Sequence, residues 1–164
     1  LARIDPIAEH VMSLQSNVVA GAIAGLAGGA ALAAWWHYGQ RLGITQEPLP
    51  RRVEQWAEDQ AGVRDQARPE TKEAVAQSGH LLAATALGAV FGGLRSSGYL
   101  PSFASGPLFG LAVYGMNVAG IGNALGITRG PESESSSVVG TQLFEHALYG
   151  AVTGWVTDWL GRRM

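Results

Sequence analysis

The chain has 164 residues, room for one domain with a sizeable core or for one small membrane bundle. Its residues are 47% hydrophobic and only 15% charged, against roughly 25% charged in an ordinary soluble domain. A net charge of −2 leaves no basic footprint for nucleic acid, and the lack of Cys removes disulfides, thiolate metal sites and cysteine nucleophiles.

The charges are bunched. Thirteen of them lie between Arg41 and Glu73, and no Asp, Glu, Lys or Arg occurs in 10–40, 74–94 or 96–128. Uncharged, mostly apolar runs of at least ~18 residues read as transmembrane helices. The mean hydropathy of +0.11 is low for such a protein because 23 Gly and the charged 41–73 segment pull it down. The opening Leu1-Ala2-Arg3-Ile4-Asp5-Pro6 lacks the basic start of a cleavable signal peptide, so the first apolar run is expected to be retained as a span.

In chain order, Ile7, Val11 and Leu14 share a helical face in 6–16, either an interfacial lead-in or an extension of the first span. That span is expected over 17–38. Gly21, Gly25 and Gly29 recur there at four-residue spacing, a small-residue stripe that lets a second backbone come close. Trp35, Trp36 and Tyr38 mark a membrane–water interface. Pro50 suits a first helical turn, and Val53, Trp56, Ala57 and Gln60 follow at helical spacing. The stretch 50–61 is therefore expected as an amphipathic interfacial helix with Trp56 inserted, ended by Gly62. Pro69 starts a helix that continues as the second span, 74–94, with Ala84, Gly88 and Gly92 as its stripe. Arg95-Ser96-Ser97-Gly98 is a turn, and Tyr99 and Pro101 bring the chain back. The third span, 105–125, has Gly106 and Gly110 four apart and Asn117 near its centre, where an interhelical hydrogen bond is expected. A polar loop at 132–137 leads to the fourth span, 138–160, with Gly150 and Gly154 four apart and Trp155, Trp159 and Arg162-Arg163 at its close.

One decapeptide occurs twice. Gly39-Gln40-Arg41-Leu42-Gly43-Ile44-Thr45-Gln46-Glu47-Pro48 returns as Gly122-Asn123-Ala124-Leu125-Gly126-Ile127-Thr128-Arg129-Gly130-Pro131, with six of ten positions identical. A His-x-Leu opens the span that follows each copy, at His80 and at His146, and small residues then recur at Ala84 and Gly150 and at Gly88 and Gly154. Self-similarity in the same order implies an internal duplication. Repeat one covers about 17–95 and repeat two about 105–162, within a single membrane domain, 1–164. Four spans make the repeats parallel, related by a pseudo-two-fold axis along the membrane normal. Gly43 and Gly126 fit the position just past a helix end, so the decapeptide reads as a helix-terminating corner and not a phosphate cradle. Seven Lys and Arg fall on the corner side and four on the other, which places the corners in the cytoplasm.

That topology gathers scattered polar residues. His37 ends the first span, His80 begins the second and Glu145-His146 begin the fourth, with Gln40 and Asn123 nearby on the same side. Ionisable groups in spans are costly and often functional. The first role for His80 and His146 is structural, reaching interfacial water or a backbone carbonyl; the rival is ligation of a divalent metal or a haem b. Glu145 lies inside the last span, where an unpaired carboxylate is penalised, so it is expected to pair with His80 or His146. Asp158, beside Trp159 and Arg162, reads as interfacial. No G-x-G-x-x-G after a strand, P-loop or H-E-x-x-H occurs, so an enzyme is the less favoured class.

The Gly-rich first span, Gly79-His80 opening the second, the Leu125–Pro131 stretch after the third and His146 opening the fourth resemble the YagU-like inner-membrane proteins. These are small four-span bacterial proteins of unknown function, and the resemblance implies a bacterial inner-membrane topology without an activity. The expectation is an all-α integral membrane four-helix bundle of two parallel repeats, plus the surface helix. It would act in the lipid bilayer as a non-enzymatic accessory or self-associating subunit, a homo-oligomer or part of a larger membrane complex, with no cofactor. Its glycine stripes outnumber what one monomeric bundle would need. The alternatives are a haem- or metal-binding electron-transfer subunit using His80 and His146, and a small-solute or proton conduit with Glu145.

Overall fold

The computed structural model describes the backbone of residues 6–64, 66–96 and 104–163, with side chains from residue 14 onward. Its elements are α1 (Pro6–Arg41), α2 (Leu49–Ala61), α3 (Pro69–Ser96), α4 (Ser105–Tyr114) and α5 (Ser136–Gly161). A π-helical segment, Gly115–Gly122, continues α4, and a 3-10 turn at Pro131–Ser133 precedes α5. All five are α-helices, as expected, and no strand occurs among the described residues. The lead-in is backbone-continuous with α1; the placing of Ile7 and Val11, and the turn at Ser97, Gly98, Tyr99 and Pro101, lie outside the described residues.

Two helices, described over Leu14–Arg41 and Pro69–Ser96, are long and apolar enough to cross a membrane. The other two long stretches miss that standard for separate reasons. The third is interrupted where α geometry gives way to π at Gly115, and α5 is diluted by Thr141, Gln142, Glu145 and His146.

α1 packs against both α3 and α5, and α4 lies on α5, giving the spatial order α3–α1–α5–α4. No comparable interface joins α3 to α4. The contacts are made backbone on backbone. A Cβ added at Gly21 would overlap the Gly88 carbonyl, one at Gly25 the Ala84 carbonyl, and one at Gly88 the Gly21 carbonyl. Gly29 continues the seam, with its added Cβ 2.7 Å from that of Ala84. The α4–α5 seam is built likewise: Gly106 and Gly150 face each other's carbonyls, Gly110 lies on the His146 carbonyl, and Gly154 on the Gly106 Cα. The small-residue stripes that composition left over for self-association are thus consumed inside the chain. α1 carries a further small position, Gly28, whose added Cβ would stand 2.5 Å from Thr153 Oγ1 on α5.

At the end remote from the decapeptides, Arg95 of α3 forms an ion pair with Asp158 of α5 and donates to Ser105 Oγ at 3.3 Å. Asp158 therefore ties α3 to α5, a role beyond lying at an interface. Arg163 covers the Trp159 ring at 4.1 Å.

α2 starts with Pro50 in its first turn and stops at Gly62, whose φ of +66° is the left-handed conformation glycine takes without strain. It docks on α3 through charge. Lys72 Nζ reaches Glu58 at 2.6 Å, and Arg51 stands 3.5 Å from both Glu54 and Glu73. Burial and the neighbouring Glu58 raise the pKa of Glu54, while the ammonium of Lys72 lowers that of Glu58. Glu54 is its buried residue, while Val53 is 42% exposed at the edge of a cavity.

Gly88→Val should be strongly destabilising, by about 1–3 kcal/mol or more from forced separation of α1 and α3. Gly140→Ala, where an added Cβ meets nothing within 4 Å, should stabilise by up to about 1 kcal/mol through helix propensity. Thermal unfolding of the two variants checks the contrast.

Candidate functional site

Both copies of the decapeptide fold into the same corner. Gly43 has φ +68° and Gly126 φ +71°. Ile44 N–H donates to the Gly39 carbonyl at 2.8 Å and Gly43 N–H to the Gln40 carbonyl at 3.1 Å. In the second copy Ile127 donates to Gly122 at 2.8 Å and Gly126 to Asn123 at 3.0 Å. This is the Schellman arrangement, in which a left-handed glycine lets the chain satisfy the last carbonyls of its own helix. The following threonines fold back over the first glycine of each copy, Thr45 over Gly39 and Thr128 over Gly122. They differ in one respect. Thr128 Oγ1 donates to the Val118 carbonyl at 2.7 Å, whereas Thr45 Oγ1 is buried without a hydrogen-bond partner.

Of the six polar residues the sequence gathers, the structure brings three together. His80, Glu145 and His146 line cavities at the corner end of the helices. His37, Gln40 and Asn123 are exposed and line neither cavity; they sit on the outer faces of helix ends, so sharing a level in the chain did not place them on an inner face. The His37 ring packs edge-on against Tyr38, centroids 5.4 Å apart.

His80 Nε2 donates to the Gly29 carbonyl at 3.1 Å, across the α1–α3 seam, and its ring leans on Trp36 with centroids 4.8 Å apart. His146 Nδ1 donates to the Gln142 carbonyl of its own helix at 2.8 Å, and its ring meets Tyr114 edge-on. Each neutral imidazole thus carries its proton on the nitrogen that faces a carbonyl and keeps the other nitrogen as an acceptor. In His80 that leaves only Nδ1 for a ligand, so joint ligation through the Nε2 atoms would cost the bond to Gly29. Among the described residues, no group of three or more His, Asp or Glu is arranged to hold a metal ion.

Glu145 is buried, but not against a histidine. Its carboxylate accepts from the Trp35 indole N–H at 3.3 Å. Trp36, 7% exposed, also bears on this carboxylate. The expected Glu–His pair is replaced by indole contacts from α1: Trp35 donates to Glu145, Trp36 bears on the same carboxylate, and the Trp36 ring also leans on His80 of α3. Of the two tryptophans read from sequence as interface markers, Trp36 lines both cavities and Trp35 donates to Glu145.

Two cavities meet at these residues. One, of about 260 Å³, is lined by the first corner, Thr128, the start of α5, Glu145 and His146. The other, of about 460 Å³, lies between α3 and the α4 segment beneath α2, with His80, His146 and Tyr149 in its wall. Trp36, Leu49 and His146 line both. Asn117, expected to bond across helices, lines the larger one, as does Glu54, which sequence reasoning passed over as one charge on a surface helix. Tyr149 donates to the Ala84 carbonyl at 2.8 Å and closes the floor.

No protein-family model, no curated protein and no solved structure matches the chain.

Trp35→Phe should cost about 1–3 kcal/mol by leaving a buried acceptor without its donor. Trp35→Phe combined with Glu145→Met should cost less than the two single changes added together, as a double-mutant cycle by thermal unfolding will report.

Proposed function

We propose that the chain is a multi-pass integral membrane protein without catalytic chemistry, an accessory or self-associating subunit that acts by packing in the bilayer. The observation that carries this reading is inverted polarity. Val19 and Ile23 are more than half exposed, as are Val75, Leu82, Val90, Leu108 and Trp155, spread over four helices. Meanwhile Ser105, Thr128, Glu145, Thr153 and Thr157 are buried. In water this arrangement is costly on both counts; in lipid the outer faces are solvated and the inner polar groups find partners.

Two parallel repeats underlie the design. Matching corners support this, and so do the seams. Gly25 and Gly29 bear on α3 around Ala84, Gly88 and His80, as Gly106 and Gly110 bear on α5 around Gly150, Gly154 and His146. The run from Gly106 to Gly122 is two residues longer than that from Gly25 to Gly39. The π segment between Gly115 and Gly122 takes up this excess, so that both corners keep their place on their seams. With the glycines engaged internally, association with a second copy or a larger complex falls to exposed apolar faces such as Val19, Ile23 and Leu26 on α1. The YagU-like pattern and the Lys/Arg balance favour a bacterial inner membrane with the corners in the cytoplasm.

The chain has no Cys, so single cysteines report topology cleanly. In intact cells Leu42→Cys and Leu125→Cys should both resist a membrane-impermeant maleimide, while Arg162→Cys should label. Opposite behaviour of Leu42→Cys and Leu125→Cys contradicts parallel repeats. Recovery of the chain in the aqueous fraction without detergent contradicts the membrane reading altogether.

A further inference from the structure

α3 and the α4 segment meet at Phe91 and Phe109 and at Arg95 and Ser105, and towards the corner end they part around a chamber with a distinct shape and chemistry. Its floor is the buried core, Leu32, Ala84 and Tyr149. Its rim carries Val53, Val75 and Ile121, apolar and 42–58% exposed, so the opening faces sideways, where a bilayer would supply acyl chains. α2 closes the corner end with Leu49 and Pro50. The volume of about 460 Å³ falls in the range of roughly 300–1,000 Å³ that holds one small organic ligand.

The polar groups in this apolar wall are mainly acceptors. His80 and His146 have each given one ring nitrogen to a backbone carbonyl, which leaves the second as an acceptor. The Tyr149 hydroxyl, a donor that could have faced the chamber, is bonded to the Ala84 carbonyl. Glu54 is 8% exposed and shares a side-chain hydrogen bond with Glu58, with Arg51 at 3.5 Å. Asn117, whose amide takes either role, is carried into the wall by the π segment, a geometry often retained where a helix serves a site.

We propose that this chamber binds a single-chain amphiphile with an uncharged, hydrogen-bond-donating head, a long-chain alcohol in the simplest case, admitted laterally from the membrane. The head lies among Glu54, His80 and His146, and the chain runs out past Val75 and Ile121. A fatty acid of the same length is excluded because its carboxylate would meet the acceptor nitrogens of His80 and His146 beside the negatively charged Glu54–Glu58 pair. The proposal rests on the membrane reading given above.

The test uses the purified full chain in detergent, a diazirine-bearing long-chain alcohol as probe, and mass-spectrometric mapping of the adducts. Adducts should fall on the chamber wall and be competed by the plain alcohol but not by the fatty acid. Gly79 lines the chamber and an added Cβ there meets nothing within 4 Å, so Gly79→Leu should fill the space without unfolding the protein. That variant should keep its melting temperature and lose labelling by about tenfold or more. Glu54→Gln, which offers an N–H, should let the fatty acid compete. Adducts spread over outward residues such as Val19 and Trp155, or labelling untouched by Gly79→Leu, overturn the site while leaving the membrane reading intact. Equal competition by alcohol and fatty acid in the unaltered chain overturns the assignment of the head. Efficient disulfide dimers of Val75→Cys would put a second copy in the cleft and overturn the amphiphile.

Discussion

The structure depends on one constraint: two helix backbones must come close enough for Gly21 and Gly88 to lie against each other's carbonyl oxygens. No side chain larger than hydrogen fits that seam. Contact at this range gives the helices dispersion and backbone dipole attraction without large side chains. Everything at the corner end follows from its depth. Because α1 and α3 are so close, His80 can reach across to the Gly29 carbonyl. Because α1 is also pressed on α5 at Gly28, the Tyr149 hydroxyl can reach the Ala84 carbonyl of α3.

The same constraint explains how much of the fold was legible. Gly21, Gly25, Gly88 and Gly92 announce their seam by four-residue spacing, since one period places them on one stripe and only close approach requires it. The left-handed glycines of the two corners are legible for a similar reason: Gly43 and Gly126 sit where a helix must stop and an Ile must cover its end. What the spacing could not show was the partner of each stripe. It left the stripes free for other subunits, whereas α3 and α5 take them up. The π segment was also hidden, because no residue type marks it; it becomes visible only when the lengths from seam to corner are compared.

The candidate site was half legible. His80, Glu145 and His146 stood out as ionisable groups inside apolar runs, and burial does bring them to adjoining cavities. Their partners did not follow from sequence, because a hydrogen bond depends on azimuth around a helix as well as on depth. Glu145 found the Trp35 indole; His37, at similar depth, points outward. Glu54 shows the opposite failure: its pattern places it on a solvated face, yet docking of α2 on α3 through Lys72 and Glu58 turns it inward.

The most direct test of the glycine-built seam is a disulfide across it. An added Cβ at Gly93 would stand 3.6 Å from Val18 Cγ2, within the reach of a disulfide. Oxidation of a Val18→Cys, Gly93→Cys chain should give near-complete cross-linking within one molecule. Thiols that stay reduced, or cross-links that form only between molecules, would contradict the seam and the helix order built on it.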